Sequence, residues 1–252
     1  MVAPSELPIN TNATATQMAQ TIFGDGATVV GASYSGDNDS SGIYSNGDSV
    51  SGAVTPGDQG IILSTGDTSG FTNSPGGGWW NQNQANNSTQ TTTNSSGVNN
   101  NAQFNAAAGS NTYDASWLDV DFIPDGNLMT MQFVFASEEY PEYAVGSYQD
   151  FIGVWINGQQ VDLAVGDGDI DPNNINTGSN GNLFIDNTND DYNTEMDGFT
   201  ITMTLTIPVN SGEVNSIRFG IADVSDANYD STLLIAANSV QTTLVADADV
   251  AQ

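Results

Sequence analysis

The feature that most constrains the fold is an apolar strand that runs directly into a group of carboxylates, over residues 128–143. Successive side chains of a strand point to opposite faces, and the first part of this stretch alternates accordingly. One face carries Met129, Met131, Phe133 and Phe135, which we expect to lie in the core. Glu138, Glu139 and Glu142 follow within five residues. The sequence therefore predicts that carboxylates gather where a buried strand reaches the rim of the core.

Carboxylates that crowd together need a positive counter-charge, or they must take up protons. The chain has 30 Asp and Glu residues, no His, and Arg218 as its single Lys or Arg, which gives a net charge of −29. Because one guanidinium cannot neutralise so many acids, we expect solvent, protons or an inorganic cation to do so. Oxygen ligands of this kind suit Ca²⁺, and calcium is the cofactor that we predict.

The same composition excludes several classes of partner. Nucleic acids and anionic membrane surfaces need basic side chains, which this chain lacks. The absence of Cys excludes disulfides and thiolate metal sites. No apolar run approaches the ~18 residues of a membrane span, so we expect no direct membrane insertion. The first residues lack the basic and apolar segments of a secretory signal peptide, so we expect a removed signal or an export signal outside this sequence.

Short strands between turn signals predict an all-β fold, an antiparallel β-sandwich of jelly-roll-like type. Residues 199–207 alternate apolar side chains with threonines, as in a strand with one buried face and one solvent-exposed face. Residues 117–122 and the strand from 128 are interpreted as a hairpin around Pro124-Asp125-Gly126-Asn127, and Asn157-Gly158 as a second hairpin turn.

Helical spacing is confined to the N-terminal region. Asn12 or Thr14 caps a predicted helix that ends near Phe23, and we expect it to be the only substantial helix. A long Asn/Thr-rich loop follows between Gly66 and Tyr113. We expect residues 1–12 to be a lead-in, residues 13–243 a single β-sandwich domain, and residues 244–252 a tail or linker.

Two acidic groups are candidate calcium sites. The principal one combines acids that follow or precede predicted strands and can meet at one rim of the sandwich, where they would hold two loops together: Glu138, Glu139, Asp150, Asp226 and Asp230. The second is Asp167, Asp169 and Asp171, spaced as at the start of an EF-hand loop. Pro172 and Gly178 replace the loop's glycine and bidentate glutamate, which excludes an EF-hand. A different calcium loop and a solvated turn both fit what remains.

Two other functions have candidate residues. Trp79 and Trp80, with Trp117, can form a stacking surface for sugar rings, although tandem aromatics also cover the edges of cores. A carbohydrate-binding, lectin-like module is therefore the alternative function. A glycoside hydrolase is a remote alternative, because it needs two carboxylates ~5–9.5 Å apart across an open cleft, drawn from Glu138, Glu139 and Glu142.

Several segments resemble the choice-of-anchor L domain. They are residues 60–66, residues 133–143 with the sequence FVFASEEYPEY, the strand from Asp150 with Asn157-Gly158, residues 195–198 and residues 221–231. The resemblance extends over about residues 13–242. It implies a secreted or surface-attached bacterial module, often part of larger proteins with C-terminal sorting signals or acidic calcium-binding repeats, and it implies no established reaction.

We therefore expect a non-enzymatic, extracellular, calcium-stabilised module for adhesion or a biofilm matrix. Its expected partners are calcium, surface glycans or matrix, and further copies of the chain in an oligomer or filament. Exposed β edges permit strand exchange between copies, whereas the net charge of −29 opposes it unless cations screen the repulsion.

Overall fold

The strands follow the alternating patterns of the sequence. The computed structural model describes residues 5–72, 91–163, 169–189 and 191–245. In these ranges the strands are β1 (Ile9–Asn10), β2 (Ala27–Ser35), β3 (Ser41–Tyr44), β4 (Gly60–Ser64), β5 (Thr112–Pro124), β6 (Leu128–Ser137), β7 (Phe151–Ile156), β8 (Gln159–Gln160), β9 (Phe184–Asp186), β10 (Gly198–Thr200), β11 (Met203–Pro208), β12 (Asn215–Val224), β13 (Ser231–Ala236) and β14 (Gln241–Thr243). The helices are α1 (Ala15–Ile22), α2 (Gly47–Val50) and α3 (Ala102–Ala108).

The strands form two antiparallel sheets. The larger has the order β1-β3-β4-β13-β6-β10-β9, with β11 and β14 also paired to β6, and the smaller has the order β2-β5-β12-β7-β8. Apolar side chains of β4, β6 and β13 meet those of β5, β7 and β12 in one core cluster between the sheets. The predicted β-sandwich is confirmed, and so is the buried face of β6, whose four Met and Phe side chains are at most 2% exposed.

The outer face of each sheet is also covered in part. Val134 and Ala136 of β6 pack in a second cluster with residues such as Phe71, which lies in the 3₁₀ helix Thr68–Thr72. On the smaller sheet, Phe104 of α3 packs against Trp117, 5.5 Å between ring centroids. Trp117 is only 7% exposed, so the structure contradicts its predicted role in a sugar-stacking surface: the ring is part of a core.

The N-terminal helix is confirmed, whereas a second one was not expected. Thr14 and Gln17 form a reciprocal capping box at the start of α1. The expectation that this helix is the only substantial one is wrong, because α3 spans seven residues within the predicted long loop. Asn101 caps α3 and Gly109 ends it at φ +67°, so the sequence contained the start and stop signals of a helix. The helix was missed because its Ala-rich segment has no apolar stripe. No helix in the described ranges is long and apolar enough to cross a membrane.

One predicted hairpin is wrong and the other is confirmed. β5 and β6 follow each other in sequence but belong to different sheets. The turn between them bonds to other elements, with Asp125 N–H donating to Gly26 and Asn127 N–H to Thr243. Both strands are therefore paired elsewhere, and the turn carries the chain from one sheet to the other. The Asn157-Gly158 turn joins β7 to β8 with φ of 50° and 79°, as a type I′ turn requires.

The predicted continuous strand over residues 199–207 is broken by a one-residue shift. Phe199 of β10 pairs with Ala136, whereas Met203 of β11 pairs with Phe133. A shift of one residue moves side chains to the opposite face. Phe199 therefore packs in the second cluster and Ile207 in the main core, while Ile201 at the break is 37% exposed.

The break in this strand predicts unequal effects of two equal truncations. Ile207 is 2% exposed, so Ile207→Ala should lower the free energy of unfolding by about 3 kcal/mol through lost burial and the cavity left behind. Ile201→Ala should lower it by less than about 1 kcal/mol, because that side chain already contacts water. Urea unfolding of both variants measures the difference. Equal losses in the free energy of unfolding would favour a continuous strand over residues 199–207.

Candidate cation site

The acidic residues meet at one end of the sandwich, where strands of both sheets end or begin. Glu138 and Glu139 follow β6, and Asp230 immediately precedes β13, its partner in the larger sheet. Asp150 immediately precedes β7, and Asp223 lies next to the end of β12, its partner in the smaller sheet. The antiparallel pairing thus brings acids that are far apart in sequence to the same rim.

Asp150 connects the two sheets and is 1% exposed. Its Oδ1 accepts a hydrogen bond from the Val224 backbone N–H (3.3 Å), and its Oδ2 accepts one from the Ser231 hydroxyl. Ser231 Oγ lies 2.8 Å from Ser137 Oγ, which accepts from the Glu139 N–H (2.9 Å). A buried chain of hydrogen bonds therefore joins β13 and the end of β6 to the smaller sheet.

Several buried carboxylate oxygens have no hydrogen-bond partner among the described residues. They are Glu139 Oε2, Asp230 Oδ2, Asp114 Oδ1 and both oxygens of Asp223, which lies near the Thr65 hydroxyl but makes no hydrogen bond of good geometry with it. Each of these residues is at most 1% exposed. Buried polar atoms are normally paired, because an unpaired one loses its hydration without compensation. We call Asp114, Glu139, Asp150, Asp223 and Asp230 the acidic cluster.

Backbone hydrogen bonds from residues 91–96 position Asp230 and Asp114. Asp230 Oδ1 accepts from the Thr93 N–H (2.8 Å), and its carboxylate lies against Gly66, where a Cβ atom would collide with it. Asp114 Oδ2 accepts from the Ser95 N–H (3.1 Å). Residues 91–96, which have no regular strand, thus hold one oxygen of each acid and leave the other unpartnered.

Burial and mutual repulsion make these carboxyls weak acids. Burial, followed by the charges of Asp150 and Asp226, raises the pKa of Glu139 to about 9. Burial also raises the pKa of Asp150 and Asp223 well above the usual range. The pKa of Asp230 and of Asp114 is raised to about 6, again chiefly by burial. At neutral pH the members with the largest shifts, such as Glu139, therefore favour the protonated form unless a cation neutralises them.

The single basic side chain is engaged elsewhere. Arg218 Nε lies 2.7 Å from Asp119 Oδ1, and the guanidinium stacks 4.9 Å from the centroid of the Trp117 ring. These contacts are on the outer face of the smaller sheet, which α3 covers. With no Lys and no His in the chain, the counter-charge for the acidic cluster comes from outside the protein.

The structure brings together most of the principal predicted site. Glu139, Asp150, Asp226 and Asp230 lie close enough for Asp150 to feel the charges of Asp226 and Asp230, and Glu139 those of Asp150 and Asp226. Asp226 is half-buried at the edge of this group.

Glu138 is joined to Asp230 through the backbone, since its N–H donates to the Asp230 carbonyl (3.2 Å), but its side chain has other partners. Its Oε1 accepts from the Thr91 N–H (3.0 Å) and hydroxyl (2.7 Å). Burial raises its pKa to about 8, and the charges that add to this are those of Asp197 and Glu195. The Glu138 carboxylate therefore has Asp197 and Glu195 as its charged neighbours, and its role as a calcium ligand stays a prediction.

Asp114 and Asp223 were not among the residues predicted for the site. The signal for Asp223 was available, because Ile217, Phe219 and Ile221 alternate into the core and Asp223 continues their face. An acidic residue that continues the buried face of a strand indicates a buried carboxylate. Asp114 has a positive φ of 48° at the start of β5, which alternation alone does not reveal.

The second predicted calcium loop is separate. Asp167 lies outside the described residues, as do the proposed stacking residues Trp79 and Trp80. Asp171 Oδ1 accepts from the Asn174 N–H (2.8 Å), and burial raises its pKa. Asp169 is exposed; it lines, with Asp171, a pocket of about 320 Å³ beside Ser147 and Ser225.

The acidic cluster is not arranged as a finished metal site. In the part of the chain that the structure describes, no three Asp or Glu side chains converge as ligands of one ion. Coordination would require the carboxylates to move towards each other. The unpartnered oxygens have no hydrogen bonds that oppose such a movement.

Comparisons with known proteins identify a family. The family model of the choice-of-anchor L domain matches residues 8–241. No curated protein matches the chain. Among solved structures, β-glucosidase from Kluyveromyces marxianus in complex with glucose is 14% identical, with a TM-score of 0.23; the match covers 54% of this chain and 11% of that one. A similarity this low carries no argument about fold or function.

The raised pKa values predict how stability depends on pH in calcium-free buffer. The folded state holds protons that the unfolded state, with pKa of 3.8 for Asp and 4.5 for Glu, has lost. The free energy of unfolding should therefore fall as pH rises from about 5 to about 9. Asp223→Asn should make this fall shallower and raise the stability at pH 8.5 above that of the wild type.

The exposed Asp121 provides the matched control, because Asp121→Asn removes the same charge outside the acidic cluster. Its pH profile should parallel that of the wild type. Identical slopes for Asp223→Asn and Asp121→Asn would show that burial of the acidic cluster does not govern the profile.

Proposed function

Because the chain belongs to the choice-of-anchor L domain family, we propose that it is a calcium-stabilised module for adhesion or matrix assembly that catalyses no reaction. Family membership implies a secreted or cell-surface protein. In this proposal, calcium binds the acidic cluster and holds the two sheets together at one end.

The observation that carries the proposal is the acidic cluster itself. Asp150 and Asp223 come from the smaller sheet and Asp230 from the larger one, and all three are 1% exposed. Both oxygens of Asp223 and one of Asp230 lack partners. A divalent cation between these carboxylates would neutralise their repulsion and supply the missing contacts in one step.

The donor set favours calcium over other cations. The chain has no Cys or His, so softer metals find none of their preferred ligands. Ca²⁺ accepts six to eight oxygens at variable angles, whereas Mg²⁺ demands a near-ideal octahedron at ~2.0–2.1 Å. A site whose carboxylates must draw together from both sheets suits the more tolerant ion.

Calcium at this position links stability to the extracellular environment. Extracellular modules bind Ca²⁺ with dissociation constants of roughly 10⁻⁴–10⁻³ M, so millimolar calcium populates such sites and cytoplasmic calcium does not. At ~100-fold excess over the dissociation constant, one site stabilises the folded state by about 2.7 kcal/mol. The rim of the sandwich would thus become rigid after export.

The net charge also bears on contacts between copies. At −29 per chain, copies repel one another, and divalent cations reduce this repulsion. We propose that calcium favours close approach of the module to further copies, to matrix or to surface glycans. The strand β2 is an edge of the smaller sheet with Val30 56% exposed, and it offers unpaired backbone groups for such contacts.

Burial of the glutamates supports a non-catalytic role. Glu138 and Glu139 are 2% and 1% exposed, whereas Glu142 is exposed on the loop after them. A glycosidase needs both carboxylates to reach a substrate in an open cleft. The pair required for hydrolysis would here have one or both members inside the protein.

The calcium proposal predicts a specific gain in stability. Calcium at ~100-fold excess over its dissociation constant should raise the free energy of unfolding of the wild type at pH 7.5 by about 2.7 kcal/mol. Asp150→Asn and Asp223→Asn should lose most of this gain, because each removes a charged ligand. Urea unfolding with calcium or with a chelator measures it.

The control Asp121→Asn should keep the full calcium effect, and equimolar magnesium should produce little of it. An unchanged midpoint of unfolding in calcium, or equal gains for all variants, would refute calcium binding at the acidic cluster.

The non-catalytic proposal predicts no turnover. Incubation of the calcium form with a panel of polysaccharides should release no reducing sugar above a no-protein blank, and Glu138→Gln should give the same result. Release of sugar that disappears in Glu138→Gln would instead establish a glycoside hydrolase.

A further inference from the structure

A pocket of about 220 Å³ opens beside the acidic cluster. It is formed by the loops that follow β6 and β12 and is lined by Glu139, Tyr143, Tyr148, Asp226, Asn228 and Tyr229. We call it the tyrosine pocket. At ~30 Å³ per water molecule it has the volume of roughly seven waters, which is enough for a short alkyl chain with a polar end.

Aromatic rings form much of its wall. The Tyr143 ring lies 5.1 Å from that of Tyr229 at 45°, and 5.9 Å from that of Tyr148 at 77°. Because the rings are inclined to one another, their faces do not stack into a flat surface. The face of an aromatic ring is electron-rich and attracts cations. Tyr148 is 41% exposed, so the rings are reachable from solvent.

Carboxyl groups complete the lining. Glu139 is 1% exposed, lines the pocket, and its Oε2 has no hydrogen-bond partner among the residues described. Asp226 adds a second carboxylate, whose Oδ1 accepts from the Asn228 N–H (3.1 Å). The pocket therefore combines ring faces, negative charge and one buried acceptor that requires a donor.

We propose that the tyrosine pocket binds a primary alkylammonium group of the kind that ends a lysine side chain. Ring faces and carboxylates together favour an organic cation. The unpartnered Glu139 oxygen needs an N–H donor, which a quaternary ammonium lacks and a primary ammonium has. A single unpartnered oxygen matches a compact donor better than the two-pronged guanidinium, which prefers two acceptors.

The ammonium group comes from another molecule. The chain contains no Lys, so a second copy cannot provide a lysine side chain. The net charge of −29 attracts cationic partners over the whole surface, and the tyrosine pocket is where such a partner would place one side chain. The inference does not require bound calcium; because Glu139 belongs to both the acidic cluster and the tyrosine pocket, its test is made in calcium-free buffer.

The test is titration of the wild-type protein with n-butylammonium chloride in calcium-free buffer at constant ionic strength, followed through the tyrosine ring signals in NMR spectra. Saturable binding should shift the signals of Tyr143, Tyr148 and Tyr229. Binding of an ammonium group favours the ionised form of Glu139, which the amide of Glu139→Gln cannot provide, so this variant should weaken affinity about 10-fold. Tyr148→Leu should weaken it about 3-fold through loss of one ring face.

Tyr148→Leu keeps the proposal testable if Glu139→Gln fails to fold, because the Tyr148 side chain is the more exposed one. Asp121→Asn, which removes a distant charge, should leave affinity unchanged. Binding of tetramethylammonium or methylguanidinium as tightly as n-butylammonium would overturn the proposal, as would binding that Tyr148→Leu does not alter.

Two further probes distinguish the sources of the ammonium group. Nα-acetyl-lysine N-methylamide represents a lysine side chain of a partner protein, and 1,4-diaminobutane represents a free diamine. If the lysine analogue binds at least as tightly as the diamine, the pocket recognises protein lysines. If the diamine binds more than 10-fold tighter, the ligand is a free diamine at the same ammonium site. Absence of binding by both would overturn the ammonium proposal. It would not bear on the calcium proposal, because the titration contains no calcium.

Discussion

The structure depends on the burial of acids at the junction of two sheets in a chain that has almost no positive charge of its own. Asp150 and Asp223 lie at the end of the smaller sheet, and Asp230 faces them from the larger one. Arg218 is bound to Asp119 on an outer face. The buried charges must therefore be balanced by species taken from solution, either protons or a metal ion. In the calcium proposal, which of these is present decides how firmly the ends of the two sheets are joined.

This constraint connects the fold to the environment of a secreted or surface protein. The core between the sheets consists of apolar side chains, whose burial is driven by the hydrophobic effect. The rim differs from the core. Hydrogen bonds that run from Ser137 through Ser231 to Asp150 bridge the sheets there, while other carboxylate oxygens of the acidic cluster stay unpartnered. A cation would stabilise the rim without altering the core. The loops that carry Asp226 and line the tyrosine pocket begin at the same rim. A cation that ordered the rim would therefore also order a surface that a partner can reach.

The sequence predicted those features that depend on local pattern. The alternation of β6, the Thr14 cap and the Asn157-Gly158 turn are readable because each needs only neighbouring residues. The separation of β5 from β6 and the shift between β10 and β11 were not predictable, since both depend on which distant strand offers a pairing edge. Strand ends correctly indicated where the acids gather. Asp223 was missed although it continues the alternation of Ile217, Phe219 and Ile221 at the end of β12. The Glu138 side chain bonds to Thr91, because consecutive side chains diverge after β6.

Proton release on calcium binding tests the central claim most directly. Calorimetric titration at pH 7 in buffers that differ in ionisation enthalpy gives the number of protons that leave when calcium binds. Carboxyls such as Glu139, with a pKa raised to about 9, are protonated at this pH and must lose their protons to coordinate the ion. We predict a net release of about one proton or more per calcium, abolished in Asp223→Asn. Calcium binding without proton release, or no calcium binding at all, would contradict the claim that the acidic cluster exchanges protons for a metal ion.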